Sequence, residues 1–457
     1  MFAPLADRRF RHLFAAQAVA LFGTGLTTVA LSLLAYDLAG GDAGAVLGTA
    51  LALKMVAYVT IAPIAGAFAH RLDRRRLLVA LDLGRAALVL ALPFVDAVWQ
   101  VYLLIFLVNA GSAAFTPVFQ ATIPDVIRDE AGYTRALSLS RLAYELESLA
   151  SPALAALALL AISYDGLFLA NAGTFLASAL LVATIALPAA QAPERAGGIV
   201  DSLTFGLRIY LRTPRLRGLL ALALAVAAAG AMVIVNTVVL VRDRLGGDDS
   251  DTALAFAASG GGAMIVALAL PRLLDRWPDR PVMLAGGLLL AAALPAGLAV
   301  PGLAWLLPVW LLLGAGAALI QTPAGRLLRR SATAGDRPAL FAAQFALSHL
   351  SWLATYPLAG WGGSLLGLDA MFAILAALCL AATVAAALLW PAGDPAVLPH
   401  VHAAQRHDHL HVHDDHHRHA HEGWEGPEPH RHPHRHAPLR HAHAFTVDLH
   451  HPAWPRS

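Results

Sequence analysis

Long apolar blocks alternate with short polar connections along most of the chain. The blocks lie near residues 13–38, 45–69, 77–95, 99–122, 136–161, 164–187, 217–241, 252–273, 281–300, 303–325, 339–366 and 368–390. Each runs about 20 residues or somewhat more, enough for a helix to cross roughly 30 Å of hydrocarbon. The pattern predicts an all-α membrane protein with twelve transmembrane helices. Arg8, Arg9 and Arg11 precede the first block as in a signal peptide, but the block is too long for one and more spans follow. It is read as an uncleaved first helix.

The connections alternate in charge. Arg71, Arg74, Arg75 and Arg76 follow span 2, and Arg128 and Arg135 follow span 4. Arg195, Arg208, Arg212, Arg215 and Arg217 follow span 6, Arg276 and Arg280 follow span 8, and Arg329, Arg330 and Arg337 follow span 10. The intervening loops carry Asp42, Asp96, Asp165 and Asp369. Their one basic pair, Arg242 and Arg244, is surrounded by Asp243, Asp248, Asp249 and Asp251. Positive charge stays on the cytoplasmic side of short loops, so both termini are expected in the cytoplasm and the bilayer is expected to be the inner (plasma) membrane. Six spans precede a linker with Pro188, Pro193, Gly197 and Gly198 that ends in the amphipathic stretch DSLTFGLRIYLR, and six follow it. The organisation is thus a first half (1–187), a linker (188–216), a second half (217–390) and a tail (391–457).

Composition agrees with a membrane protein: 58% hydrophobic, 14% charged, with a mean hydropathy of +0.63. Cys379 is the single cysteine, so neither disulfides nor thiolate metal sites organise the chain. There is no phosphate-binding loop and no nucleophile with an adjacent base, so neither an enzyme nor an ATP-driven pump is expected. Nothing suggests nucleic-acid binding.

The loop after span 2 reads GAFAHRLDRRRLL and resembles the signature of the major facilitator superfamily. Gly66, Arg71 and Arg74 match, while His70 stands where the acid is expected. The equivalent loop of the second half, PRLLDRWPDR, keeps Asp275 and Arg276 without the glycine. In the family these residues form the cytoplasmic gate, so Gly66, His70, Arg71, Arg74, Asp275 and Arg276 are the candidate gate residues. The resemblance implies two six-helix bundles related by duplication. Span 5, with ELESLASPALAA, is similar in a weaker way to an exporter motif, keeping the small residues but not the glycines.

The tail breaks the pattern. Of 21 histidines, 18 lie between His400 and His451. Neutral imidazole binds Ni, Co, Cu and Zn ions, and residues at i and i+2 of an extended chain point the same way. His407, His409, His411 and His413 form one candidate ligand set, His416, His417, His419 and His421 a second, and His430, His432, His434 and His436 a third. Low apolar content and Pro427, Pro429, Pro433 and Pro438 predict a disordered tail when free. A tail that senses pH through the same imidazoles is the rival reading. A facilitator with such a tail looks like the nickel-resistance exporters of the NreB type.

Charges inside spans need a reason, because each costs roughly 2.5–3.5 kcal/mol at helix centre. Lys54, the only lysine, sits mid-span. Span 5 carries Arg141, Glu145 and Glu147: the first two share a face and can neutralise each other, and Glu147 is left to find another partner, Lys54 being the candidate. These four and His349 of span 11 are the candidate pathway residues. Asn109, Asn171 and Asn236 are expected to make hydrogen bonds between helices. The expectation is secondary-active efflux of a divalent metal ion, nickel first and cobalt second, with the tail capturing or sensing metal. No resident cofactor is required, and protons are an open choice as the coupling ion. An exporter of organic compounds whose tail only buffers or senses metal is the alternative.

Overall fold

In a computed structural model of the chain, the described residues are 3–68, 73–127, 164–188, 199–274, 276–331 and 337–394, short pieces between 132 and 163, and four segments beyond 397. The helices of the first bundle are α1 (Arg8–Ala39), α2 (Ala43–Phe68), α3 (Arg74–Leu90), α4 (Val98–Val126) and α5 (Tyr164–Ala183). The linker holds α6 (Ile199–Arg212). The second bundle holds α7 (Pro214–Val239), α8 (Asp249–Leu274), α9 (Asp279–Ala293), α10 (Leu303–Arg330), α11 (Arg337–Leu366) and α12 (Leu368–Leu389). The predicted span 136–161 is described only in part, helical at positions such as Glu147 and Ser151.

Among the described residues, nine stretches are long and apolar enough to cross a membrane, the first running through α1 and α2 together. Leu103, Leu157, Leu169, Leu180, Leu268 and Leu388 are exposed on their outer faces, the side a hydrocarbon solvent would cover. Predicted ends shift where proline intervenes. The predicted span 77–95 becomes α3 plus a 3-10 turn at Leu92–Phe94, which carries Pro93. The span 281–300 ends as a 3-10 segment, Leu294–Ala299, at Pro295. Between α11 and α12 the chain reverses at Gly367, whose φ of 84° suits glycine.

In the first bundle α1 packs on α5, α2 on α4, and α3 on both α4 and α5. In the second, α8 packs on α10, α7 on α11 and α12, and α9 on α10 and α12. The bundles meet chiefly along α2 and α11, with α1 and α2 also touching α7. The linker's amphipathic stretch is helical as predicted, with Ile209 and Tyr210 buried while Leu207, Arg208 and Leu211 are exposed. Tyr210 donates its hydroxyl hydrogen to Gln344 of α11.

Beyond Asp394 four strands are described: β1 (Leu398–His402), β2 (Gln405–His411), β3 (His430–His436) and β4 (Leu439–His443). β1 pairs with β4 and β2 with β3, both antiparallel. His413, His416, His417, His419 and His421 lie outside the described residues.

Candidate functional site

Where the bundles meet, α2 and α11 run antiparallel with their backbones in contact. A Cβ on Gly360 would stand 2.3 Å from the carbonyl oxygen of Gly44, and one on Gly48 would stand 2.5 Å from that of Tyr356. Asn236 of α7 closes the same end, its amide donating to the carbonyl of Ala359 at 3.0 Å. Trp361 donates its indole N–H to the Thr49 hydroxyl at 3.1 Å. Small residues let helices approach this closely, and the approach fixes the level of the side chains farther along both helices.

Those side chains are Lys54 and Tyr58 of α2 and Phe345, His349 and Trp352 of α11. The His349 ring lies 3.9 Å from the Phe345 ring and 5.4 Å from that of Tyr58. Its Nδ1 is 2.7 Å from the Phe345 carbonyl oxygen, which can only accept. Nδ1 therefore carries the proton, and Nε2 is left as an acceptor in the neutral ring. The Trp352 ring lies 5.0 Å from that of Tyr356, tilted against it, and rests on Gly230 of α7.

Glu147 approaches from the partly described span. A Cβ on Gly25 of α1 would stand 2.9 Å from its Oε1 and 2.1 Å from the hydroxyl of Ser151, which is buried without a hydrogen-bond partner among the described residues. Lys54 and Glu147 act on each other electrostatically, and the lysine's charge also reaches His349. The structure thus brings together three of the predicted pathway residues. Arg141 and Glu145 lie outside the described residues. An amine, a carboxylate and an imidazole over aromatic rings can bind a polar head and an apolar body together. Within the two bundles, among the described side chains, no three His, Cys, Asp or Glu could hold one metal ion.

The predicted gate residues are partly placed. Gly66 lies in α2, and His70, Arg71 and Asp275 lie outside the described residues. Arg74 is buried and paired with Asp125 of α4. Arg276 is exposed in the turn after α8. In the second half the ion pairs at this arginine-rich end centre on two acids not singled out by sequence. Asp279 pairs with Arg326 at 2.6 Å, and Asp394 pairs with Arg215 at 3.2 Å and Arg330 at 2.8 Å. Asp82 and Arg85 form a buried pair, with Ser178 donating to Asp82 at 2.7 Å and the guanidinium between Phe115 and Phe175. They hold the first bundle together.

At the opposite, acid-rich end Tyr36 donates to Asp243, and Arg242 sits 5.5 Å from the centre of the Tyr36 ring. The exceptional arginines of this side are neutralised, Arg242 by Asp249 and Arg244 by Asp369 at 2.5 Å. At the start of α8, the Ser250 hydroxyl and the Asp251 backbone N–H both donate to Asp248 and hold its carboxyl below the usual carboxylate range.

Two asparagines bridge helices as expected: Asn236, and Asn171, which donates to Thr27 at 2.5 Å. Asn109 does not, because its amide turns back to its own helix at Ile105 (2.8 Å). Sequence reasoning missed Tyr58 and Phe345, although each stands one helical turn from a residue it did single out. It also missed Gly44 and Gly48, spaced as two small residues on one helix face.

Over residues 1–333 the sequence matches the family described as transmembrane secretion effector. The chain belongs to this family, within the major facilitator superfamily. The uncharacterized MFS-type transporter YfiS of Bacillus subtilis (strain 168) is 24% identical over 326 residues, covering 68% of this chain and 76% of that protein. Macrolide efflux protein A of Streptococcus pyogenes is 28% identical over 159 residues, covering 33% of this chain and 37% of that protein. The solved structure of the nucleoside transporter NupG superposes with a TM-score of 0.66 at 12% identity, over 83% of this chain and 98% of its own. That likeness shows the fold, two six-helix bundles. A secretion effector of this superfamily is a multi-pass membrane transporter, not an enzyme.

Proposed function

We propose that the protein is an exporter that takes an organic solute from the cytosol and releases it on the far side of the inner membrane. The observation that carries this reading is the grouping of Lys54 with Glu147 and His349, drawn from both bundles and lying farther along α2 and α11 than the Gly44–Gly360 contact. A central site between two rocking bundles is where alternating access needs binding groups. The arginine-rich end is the cytosolic one by charge, so the acid-rich end, where Gly44, Gly48 and Gly360 interlock, is the outer gate in its closed position. Lys54 disfavours a bare cation, and the rings of Tyr58, Phe345 and Trp352 favour an apolar body. The relation to an efflux protein for macrolides supports the direction.

Metal efflux, nickel first and cobalt second, is the second reading, and the tail favours it. Asp394, fixed by Arg215 and Arg330, roots the tail at the arginine-rich end. The chain from there to His407 reaches about 40 Å when extended, so metal held by the tail, whether Ni, Co, Zn or Cu, stays beside the inner mouth. Tethering of that kind raises local concentration.

The test is solute content in a host sensitive to macrolides and to nickel. It compares empty vector, the full chain, Glu147→Gln, and a chain ending at Asp394, which keeps the Arg215 pair. The full chain should lower a labelled macrolide at least tenfold against vector, Glu147→Gln should lose most of that, and truncation should leave it intact. A fall in nickel or cobalt that truncation abolishes would instead establish the metal reading. If no solute falls while the protein is in the membrane, efflux is wrong.

A further inference from the structure

The histidine alternation becomes more specific once the strand register is fixed. β2 and β3 pair so that His407 stands opposite His434, His409 opposite His432, His411 opposite His430, and Gln405 opposite His436. Directly opposed positions of an antiparallel pair lie on one face, and alternate positions along a strand return to that face. All seven histidines of the two strands therefore fall on a single face of the ribbon. The other face takes Arg406, Asp408, Leu410, Arg431, Pro433 and Arg435. A register slipped by one residue would scatter the histidines over both faces. The outer pair repeats the separation, with His400 opposite His441 and with His402 and His443 at positions of the same face.

We propose that the two histidine runs are halves of one divalent-metal site, built across β2 and β3, rather than two sites each formed within its own strand. This goes beyond the export reading and does not depend on the exported solute. Opposed Cβ atoms of an antiparallel pair lie about 4.5–5.5 Å apart, a span that two imidazoles close on one ion at metal–nitrogen distances near 2.0–2.1 Å. Two adjacent rungs, His407 with His434 and His409 with His432, supply four imidazoles, and the rung of His411 and His430 extends the set. The ligand class is a borderline divalent ion, Ni, Co, Zn or Cu, since imidazole nitrogens alone form the site. A two-stranded ribbon without an apolar core is marginal in water. Metal binding supplies the free energy that orders it, which couples the tail's fold to metal in the cytosol.

The experiment uses the full chain in detergent with Ni²⁺ alone as the probe. Binding is measured for the parent protein, for H407A/H409A/H411A, for H430A/H432A/H434A, and for the two sets combined. For a shared site either triple variant should weaken the tightest binding at least tenfold, and the combination should remove no further tight ion. If each triple variant instead loses one ion and binds another with parental affinity, the cross-strand site is overturned. A second readout uses R406C/R435C, an opposed pair on the other face, the native Cys379 being buried. Ni²⁺ should speed disulfide cross-linking between them severalfold. Tight Ni²⁺ binding with no change in cross-linking also overturns the proposal. Both readouts are independent of transport, so a failed efflux assay leaves this test standing.

Discussion

The two ends of the bundle are built on different principles. At the acid-rich end the halves touch each other through glycine backbones, Gly44 and Gly48 against Gly360, with Asn236 as a polar wedge and Tyr36 reaching across to Asp243. At the arginine-rich end the described ion pairs run within a half: Arg74 with Asp125 in the first, and Arg326, Arg330 and Arg215 with Asp279 and Asp394 in the second. Charged pairs sheltered from solvent are costly to break singly. Backbone contact between glycines is strong only while the surfaces fit and is lost when they part. On the proposed export cycle, the interface that opens is made of shape, and the bodies that stay rigid are stitched by charge.

Spoiling the shape should have the largest effect. Gly360→Leu places a branched side chain where a Cβ alone would stand 2.3 Å from the Gly44 carbonyl oxygen. The halves can then no longer meet at that end, and export should fall at least tenfold while the protein still reaches the membrane. Cysteine-accessibility labelling at Thr49, beside the contact, checks the cause: its reactivity should rise in the variant. Unchanged labelling with unchanged export would show that the glycine contact is not a gate.

Cutting a charged stitch should instead cost stability. The Arg215 and Asp394 side chains are 2% and 9% exposed, so Asp394→Asn leaves a buried guanidinium short of its counter-charge, at a cost of about 3 kcal/mol. Thermal unfolding in detergent should show a lowered midpoint, and the export that remains per folded molecule should be close to parental. Loss of export at full stability would mean that the cluster belongs to the moving interface after all.

These differences track what was legible in the sequence. Charge was readable because it is costly in a membrane: Lys54, Glu147 and His349 stand out in any apolar span, and the structure brings them together. The acids beside Arg242 likewise announced its pairing with Asp249, whereas the partner of Arg244, Asp369, lies in a distant loop. Shape was harder to read. Gly44, Gly48 and Gly360 lie among alanines and leucines, and nothing in composition separates a glycine that meets a helix from one that faces lipid. Asp279 and Asp394 were passed over because a three-residue step from Arg276, or a place just beyond the last span, carries no signal until the helix ends are positioned. In the tail the alternation of histidines was plain, while the partner of each run could come only from strand register.

The smallest effect sharpens the comparison at the acid-rich end itself. Asp248 and Asp251 cap α8 reciprocally: Asp248 accepts from the Asp251 backbone N–H at 3.0 Å, and Asp251 accepts from that of Asp248 at 3.1 Å. The Ser250 hydroxyl, 2.6 Å from Asp248, is the main cause that holds the Asp248 carboxyl below its usual range, followed by the Asp251 N–H. A carboxyl depressed in the folded state lends stability that is fully present above its unfolded value, near 3.9, and is lost as pH falls through the lower folded value. Hydrogen exchange at the Asp251 and Thr252 amides should therefore show protection at pH 6 that disappears only well into the acid range, beyond the intrinsic change in exchange rate. Ser250→Ala should move that loss to higher pH, and Asp248→Ala should remove the step and lower protection already at pH 6. Because Asp248 is exposed, the change should stay within the first turn of α8 and leave the glycine contact untouched. If Ser250→Ala instead altered cysteine labelling at Thr49, the helix start and the gate would be one unit, and the separation of shape from charge at this end would fail.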